Sequence, residues 1–411
     1  METTPDEYYP RIPKYEEIID VEDDSQGALT FGFELEFLLA TLEGDQPDPD
    51  TDESRDPLRT VVLDSKDRNT FLNIKSQVDK HLINLLETEG LPTRSEEEEK
   101  FHPSNNIIPI YNEWRISKDL SVFMKNSIGA ESYRWHSREV SSIVMGSDNP
   151  GYPNQIEKVC RALRKGRLHL NDTASVHVHV GRGDESFSLL TIKKFATLYW
   201  LTEAPLMKLQ HPCRQSNKWC FHLTQMSNLA AKTSGGSAAG YRALAFSSLG
   251  KMNEFVPYQL SEPLRTQFRW IWGCAKIEEL AELMEGFPKM VQCPRGSVGF
   301  TRFLPADETG GNTQTFEWRQ MAASLDPDHI LRWIRVCVAF TDFARGSTAE
   351  EFKGLLRTIL ERGSSYTGFD LLESLGLHAE AEYYKKKVEG YSNNPEVFAG
   401  QGAGKLFVPP L

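Results

Sequence analysis

Three short stretches, far apart in this 411-residue chain, each set two polar groups two positions apart in apolar surroundings. They are Phe31-Gly-Phe-Glu34-Leu-Glu36-Phe37, Ser175-Val-His177-Val-His179-Val-Gly181 and Thr315-Phe-Glu317-Trp-Arg319-Gln320. Side chains alternate faces along a strand, so positions i and i+2 point the same way. Each stretch would turn its polar pair to one face and apolar packing to the other. A charge taken out of water needs compensation, so such a face meets a metal, an ion partner or a ligand. Glu34 and Glu36 suit hard cations such as Mg²⁺ or Mn²⁺, which prefer oxygen ligands. The competing reading is an ordinary exposed face, against which Phe31, Phe33, Leu35 and Phe37 stand as packing on the other side. His177 and His179 suit a transition metal, or the phosphates of a nucleotide whose Mg²⁺ is held by carboxylates. A lone histidine there would be a core residue; two on one face are harder to explain so. Glu317 with Arg319 reads equally as a structural ion pair or as a phosphate-binding fork beside a cation-holding carboxylate.

Bulk properties narrow the function classes. With 39% apolar and 25% charged residues the chain fits a globular protein with a sizeable core. The net charge of −12 argues against nucleic-acid binding and against an anionic membrane surface. It also means that local arginines and divalent cations would have to overcome the average field to hold a nucleotide. No run approaches the roughly 18 apolar residues needed to span a bilayer. The start, Met1 to Pro10, has no signal-peptide pattern, and six scattered cysteines suggest reduced thiols, so a cytoplasmic location is expected. His211, Cys213, Cys220 and His222 do not form a common zinc knuckle, and Pro212 interrupts them. The loop from Ser234 to Gly240 lacks the Gly-Lys-Ser/Thr of a P-loop, and Gly181-Arg-Gly183 is too short for a dinucleotide fingerprint.

The elements needed to carry these pairs can be read from periodicity. Residues 29–42 form a core strand, preceded by an acidic extension over 1–28. The acidic, proline-containing stretch 43–57 should be a loose loop. With a helix at about 70–89 and a charged loop from Arg94 to Lys100, it makes 43–105 an insertion. Strands follow at 113–123 and 137–145, the second bearing Glu139 in an apolar and small setting. Asn154 should cap a helix ending near Gly166. The histidine strand covers 173–180, and Ser186 starts a long helix reaching about Leu209. Residues 211–260 look irregular, before a helix near 276–285 and a strand at 314–320. Asp326 caps a helix over 327–345, and the tail from 350 reads as three short helices. Strands with single intervening helices and no even βα alternation give an α+β class with a mainly antiparallel sheet.

In order and content these motifs resemble the amidoligases, carboxylate–amine ligases similar to glutamine synthetase and glutamate–cysteine ligase. The resemblance rests on Gly32-Phe-Glu34-Leu-Glu36, Trp114 through Asp119-Leu-Ser121, Glu139-Val-Ser141-Ser142 and His177-Val-His179-Val-Gly181. The His211-Pro-Cys-Arg214-x-x-Asn217 stretch and Phe316-Glu317-Trp-Arg319-Gln320 with Leu325-Asp326-Pro complete it, over about 31–345. It implies a curved, mainly antiparallel half-barrel with flanking helices, whose face binds Mg–ATP, with Mn²⁺ as a substitute cation. Glu34, Glu36, Glu139 and Glu317 would match the metal-binding acids. His177 or His179 would match the histidine on metal or phosphate, and Arg319 the arginine on the transferred phosphate. The implied reaction is ATP-dependent amide formation through an acyl phosphate. Arg319, Glu317 and Glu139 would carry the catalysis, with Arg214 and Arg182 as further candidates for the nucleotide phosphates. The partners would be a small-molecule or peptide carboxylate and an amine. Two alternatives share the residues: a metal-dependent hydrolase, and a non-catalytic nucleotide-binding relative.

Overall fold

The computed structural model describes residues 23–51, 58–60, 68–96, 111–125, 129–234, 246–286, 295–304, 314–393 and 405–411. Its spine is β1, Thr30–Glu43. Around it stand β2 (Leu58–Thr60), β3 (Thr93–Ser95), β4 (Trp114–Ser117), β5 (Arg134–Ser141), β6 (Met145–Gly146), β7 (Leu168–His169), β8 (Ser175–Gly181), β9 (Val298–Gly299) and β10 (Phe316–Ala322). The strands form one open sheet in the order β3-β4-β5-β1-β8-β10-β9, with β2, β6 and β7 also paired to β1. Only β2 with β1 and β3 with β4 run parallel; the other described pairings are antiparallel. The fold is therefore α+β, with a large, mostly antiparallel sheet.

Alternation in β1 places Phe31, Phe33, Leu35 and Phe37 in the core, each almost completely buried. Val176, Val178 and Val180 of β8 and Phe316 and Trp318 of β10 continue this apolar face. Two helices cover it, Leu189–Met207 and Pro327–Gly346. Phe195 stacks on Phe316 at 3.7 Å, and Trp318 meets Tyr199, Phe340 and Trp333 edge-on. Full burial of such side chains contributes about 1.5–3 kcal/mol each, which fixes this face inward and leaves the other for chemistry. Asp326 caps the second helix as expected, accepting from the backbone N–H of Asp328 and His329.

Several boundaries differ from the sequence reading for identifiable reasons. Within the segment 43–105, β2 and β3 join the sheet, and helix Arg68–Glu87 buries Val78, Leu82 and Leu86 in the main core. On the same helix, Asp79 pairs with the buried Arg138 at 2.6 Å. Within the acidic loop, Asp48 lies 2.6 Å from Arg167 and accepts from the Tyr133 hydroxyl, because a buried guanidinium demands a counter-charge. Residues 52–57, 61–67 and 97–110 lie outside the described residues. The strand expected over 113–123 ends at Ser117, and the one over 137–145 is split into β5 and β6. Gly151, not Asn154, precedes helix Tyr152–Arg164, whose Pro153 suits a first turn. Ser188, not Ser186, caps Leu189–Met207, its hydroxyl accepting from Thr191 N. Buried Asp24 supports the same cap, accepting from Ser188 N and the Thr191 hydroxyl.

The region read as irregular carries helices Leu223–Met226, Asn228–Thr233 and Phe246–Phe255; residues 235–245 lie outside the described residues. Helix Glu262–Gly273 was missed, and Ile277–Met284 stands where expected. The three tail helices are Ala349–Arg362, Gly368–Ser374 and His378–Asn393. Residues 405–411 then return to the sheet, Val408 N donating to Leu168 O of β7.

Candidate functional site

Register brings the polar pairs together. Glu34 lies opposite His177 on one side and Ser141 on the other; Glu36 lies opposite Glu139. Glu139 in turn faces Ser117, and His179 faces Glu317. Five neighbouring strands, β4, β5, β1, β8 and β10, thus carry their polar residues on one continuous face. Across the last pairing, Gly299 of β9 leaves room for a carboxylate. A Cβ there would stand 3.1 Å from Glu317 Oε2.

Two groups of potential cation ligands result, each with its ligand atoms within 4.8 Å of one another. The first is Glu34, His179 and Glu317; the second is Glu36, Asp119 and Glu139. His177 belongs to neither and bridges them. Its Nδ1 is 2.8 Å from Glu34 Oε2, and its Nε2 is 2.7 Å from the Ser175 hydroxyl, which also bonds Glu36 Oε2 at 2.7 Å. Glu36 Oε1, buried and 3.4 Å from His177 Nε2, has no hydrogen bond among the described residues. Glu139 Oε1 accepts from Ser141 at 3.0 Å and Ser117 at 3.3 Å.

The carboxyl groups divide into two electrostatic classes. Burial would raise them all, since it disfavours the charged form. For Glu34 that effect is outweighed by the charge of His179 and hydrogen bonds from both imidazoles, which hold it well below the usual carboxylate range. For Glu317, burial is overcome by Arg319 and then by the two histidines, bringing it to about 2. Glu36 goes the other way, pushed well up by burial and the charge of Asp119. Glu139 rises likewise through burial and the charges of Glu34, Glu36 and Asp119. Burial, then Arg319, push the His177 imidazole down.

Arg319 sits at the junction. It pairs with Glu317, lies 3.5 Å from His177 Nδ1, and donates from Nε to Trp219 O at 3.2 Å. Burial opposes its charge, but Glu317, Glu36 and Glu34 hold the guanidinium above its ordinary value. The other two candidate arginines are placed differently. Arg214 is fully buried, its Nη2 donates to Arg319 O at 2.6 Å, and its charge acts on Glu36. Arg182 contacts Ser186 O, Gln26 O and Glu185 at the end of β8.

Two residues gained importance only here. Asp119 stands in the resembling motif without an assigned role; its Oδ1 accepts from the Ser121 N–H and hydroxyl, so the Asp-x-Ser spacing was the available signal. Arg302, on the turn Thr301–Phe303, is half-buried, which works against its charge, yet Tyr111, Glu317 and Glu34 raise its guanidinium above its ordinary value. No pattern near position 302 announced that neighbourhood.

A family model described as "putative amidoligase enzyme" matches residues 28–232. Over that span the chain belongs to this family. The amidoligase match holds β1, β4, β5 and β8, hence Glu34, Glu36, Asp119, Glu139, His177 and His179. It ends short of the 31–345 suggested by the motifs, so Glu317 and Arg319 join the amidoligase residues through the sheet. The family supports a ligase as the general class of activity. No curated protein matches the chain. No helix among the described residues is long and apolar enough to cross a membrane.

Proposed function

We propose that the protein is an ATP-dependent carboxylate–amine ligase, forming an amide bond through an acyl phosphate. The observation that carries this reading is Arg319, a guanidinium held at the meeting point of two carboxylate groups on one sheet face. A hydrolase could share the acids, but a cation beside two candidate metal centres suits a transferring phosphoryl group. The open, mainly antiparallel sheet with its chemistry on one face supports a half-barrel of the glutamine-synthetase kind.

The donor atoms fit divalent cations. Glu36, Asp119 and Glu139 offer an all-oxygen group, and Oε1 of Glu36, which has no hydrogen bond among the described residues, supplies a ready acceptor. Glu34, His179 and Glu317 offer a mixed group, and its geometry supports a ligand role for His179 and a bridging role for His177. Magnesium held here, or manganese in its place, would neutralise the phosphate oxygens of ATP.

The chain's own residues supply the rest. A substrate carboxylate oxygen attacks the γ-phosphorus of ATP, the bond to ADP breaks, and Arg319 offsets the charge on the transferred group. The amine nitrogen then attacks the acyl carbon, phosphate departs, and the amine's proton passes to a carboxylate of the same face. Glu317 orients Arg319, while the Ser117 and Ser141 hydroxyls aim Glu139. The substrates are a small-molecule or peptide acid and an amine. Use of ATP fits the cytoplasm.

The test is phosphate release from Mg–ATP in the presence of pooled amino acids and amines, with mass spectrometry of the products. Amine-dependent release and a condensed product support the reading. Absence of ATP binding and of phosphate release across the panel, under Mg²⁺ and Mn²⁺ alike, would sink it.

A further inference from the structure

Arg319 lies in an irregular part of its strand. The pairing of β10 with β8 shifts register between Trp318 and Met321, a bulge that re-aims the intervening side chains. Its support comes from elsewhere. Arg319 N donates to Ser297 O at 3.0 Å, and Nε donates to Trp219 O at 3.2 Å. The two supporting segments are joined to each other: Phe221 N donates to Arg295 O, and Ser297 N donates to Phe221 O.

Both segments converge on one carboxyl group. Glu203, inside helix Leu189–Met207, is fully buried. Its Oε1 accepts from Leu223 N at 2.6 Å and from the Ser297 hydroxyl. Its Oε2 accepts from Thr224 N at 2.9 Å and from the Thr224 hydroxyl at 2.6 Å. The Tyr199 hydroxyl adds a bond to Ser297 Oγ at 2.7 Å. A carboxylate's acceptor-only oxygens match this ring of donors, two of which are backbone N–H groups that can do nothing but donate.

We infer that Glu203 is a positioning residue for Arg319: from the helix layer it pins the two loops that hold the bulged arginine in place. The catalytic part of this inference rests on the ligase reading above; the positioning part does not. The substitution Glu203→Gln is diagnostic, because its amide would face a backbone N–H in either orientation, Leu223 in one and Thr224 in the other. Asp24→Asn is the control for general damage. Asp24 is another buried carboxyl, serving the opposite end of the same helix through Ser188 N and the Thr191 hydroxyl.

Two readouts separate the inferences. Amide hydrogen exchange, measured without substrate, should accelerate at least tenfold at Arg319 and at 295–298 in Glu203→Gln, with β1 unchanged. Asp24→Asn should leave those amides protected. In phosphate release from Mg–ATP, Glu203→Gln should lower kcat ten- to a hundredfold with KM for ATP within threefold, as loosening a transition-state contact by about 1 Å implies. Asp24→Asn should stay within threefold in both. Unchanged exchange at Arg319 in Glu203→Gln overturns the inference, as does an equal response of the two variants in either readout. If the parent protein shows no turnover, the ligase reading fails, and the exchange result alone still decides the positioning role.

Discussion

Glu36→Gln should make the chelator-treated protein more stable while removing its response to Mg²⁺. Glu36 is buried and shares its group with Asp119 and Glu139, the ligand atoms lying within 4.8 Å. Two full charges at that distance repel by about 3 kcal/mol at an effective dielectric constant of about 20. Partial protonation already relieves some of this, so the neutral amide should stabilise by about 1–3 kcal/mol. For a chain of this length that corresponds to roughly 1–3 °C in Tm. The amide oxygen of the Glu36→Gln side chain can still accept from the Ser175 hydroxyl, so the one existing bond at this position survives. The sign with pH follows from the upward shift of Glu36 from its ordinary value of 4.5. Between that value and its raised one the folded state binds more protons than the unfolded state. Stability is present at low pH and is lost as pH rises through the folded value. The gap between variant and parent should therefore widen from pH 5 to pH 8. Saturating Mg²⁺ at 100 times its Kd would stabilise the parent by about 2.7 kcal/mol and offset most or all of the variant's advantage. Differential scanning fluorimetry with EDTA or Mg²⁺ at each pH reads all of this. A variant less stable than the parent in EDTA at pH 8, or one with an undiminished Mg²⁺ shift, would refute the reasoning.

Arg319→Lys keeps a charge but gives up the Nε bond to Trp219 O, and a hydrogen bond from a charged group is worth about 1.5–3 kcal/mol. Phosphate release should fall about ten- to a hundredfold in kcat, and a loss below threefold would remove Arg319 from the transition state. Asp79→Ala leaves Arg138 buried without this partner and should cost about 3–5 kcal/mol, read as a fall of roughly 4–6 °C in Tm. The double substitution Asp79→Leu with Arg138→Met should recover most of that loss, since it removes both charges from the interior.

The three polar pairs were legible because strand geometry makes i and i+2 neighbours whatever the rest of the chain does. Alternation in β1, β8 and β10 therefore gave the chemistry of the face, the apolar side beneath it and the α+β class. The cap at Asp326 and the three tail helices were equally local. What lay beyond reach were the contacts that depend on partners distant in sequence. Nothing local shows that Val78, Leu82 and Leu86 of helix Arg68–Glu87 join the main core. The acidic loop looked loose because its anchor, Arg167, is more than a hundred residues away.

The site followed the same division. Residue types alone said that acids, imidazoles and a guanidinium would share one face, and the order of the motifs pointed to an amidoligase. Register decided the grouping: His179 lies opposite Glu317 and His177 opposite Glu34, which makes one a ligand candidate and the other a bridge. The protonation pattern is likewise tertiary. Glu34 and Glu36 are two residues apart on one strand, yet the first is held down by two imidazoles and the second pushed up by burial and Asp119. The sequence alone determined that each polar pair would share a face. Only the packed sheet decided which carboxyls are held down and which are pushed up, because that depends on neighbours brought from elsewhere in the fold and on the water that packing excludes.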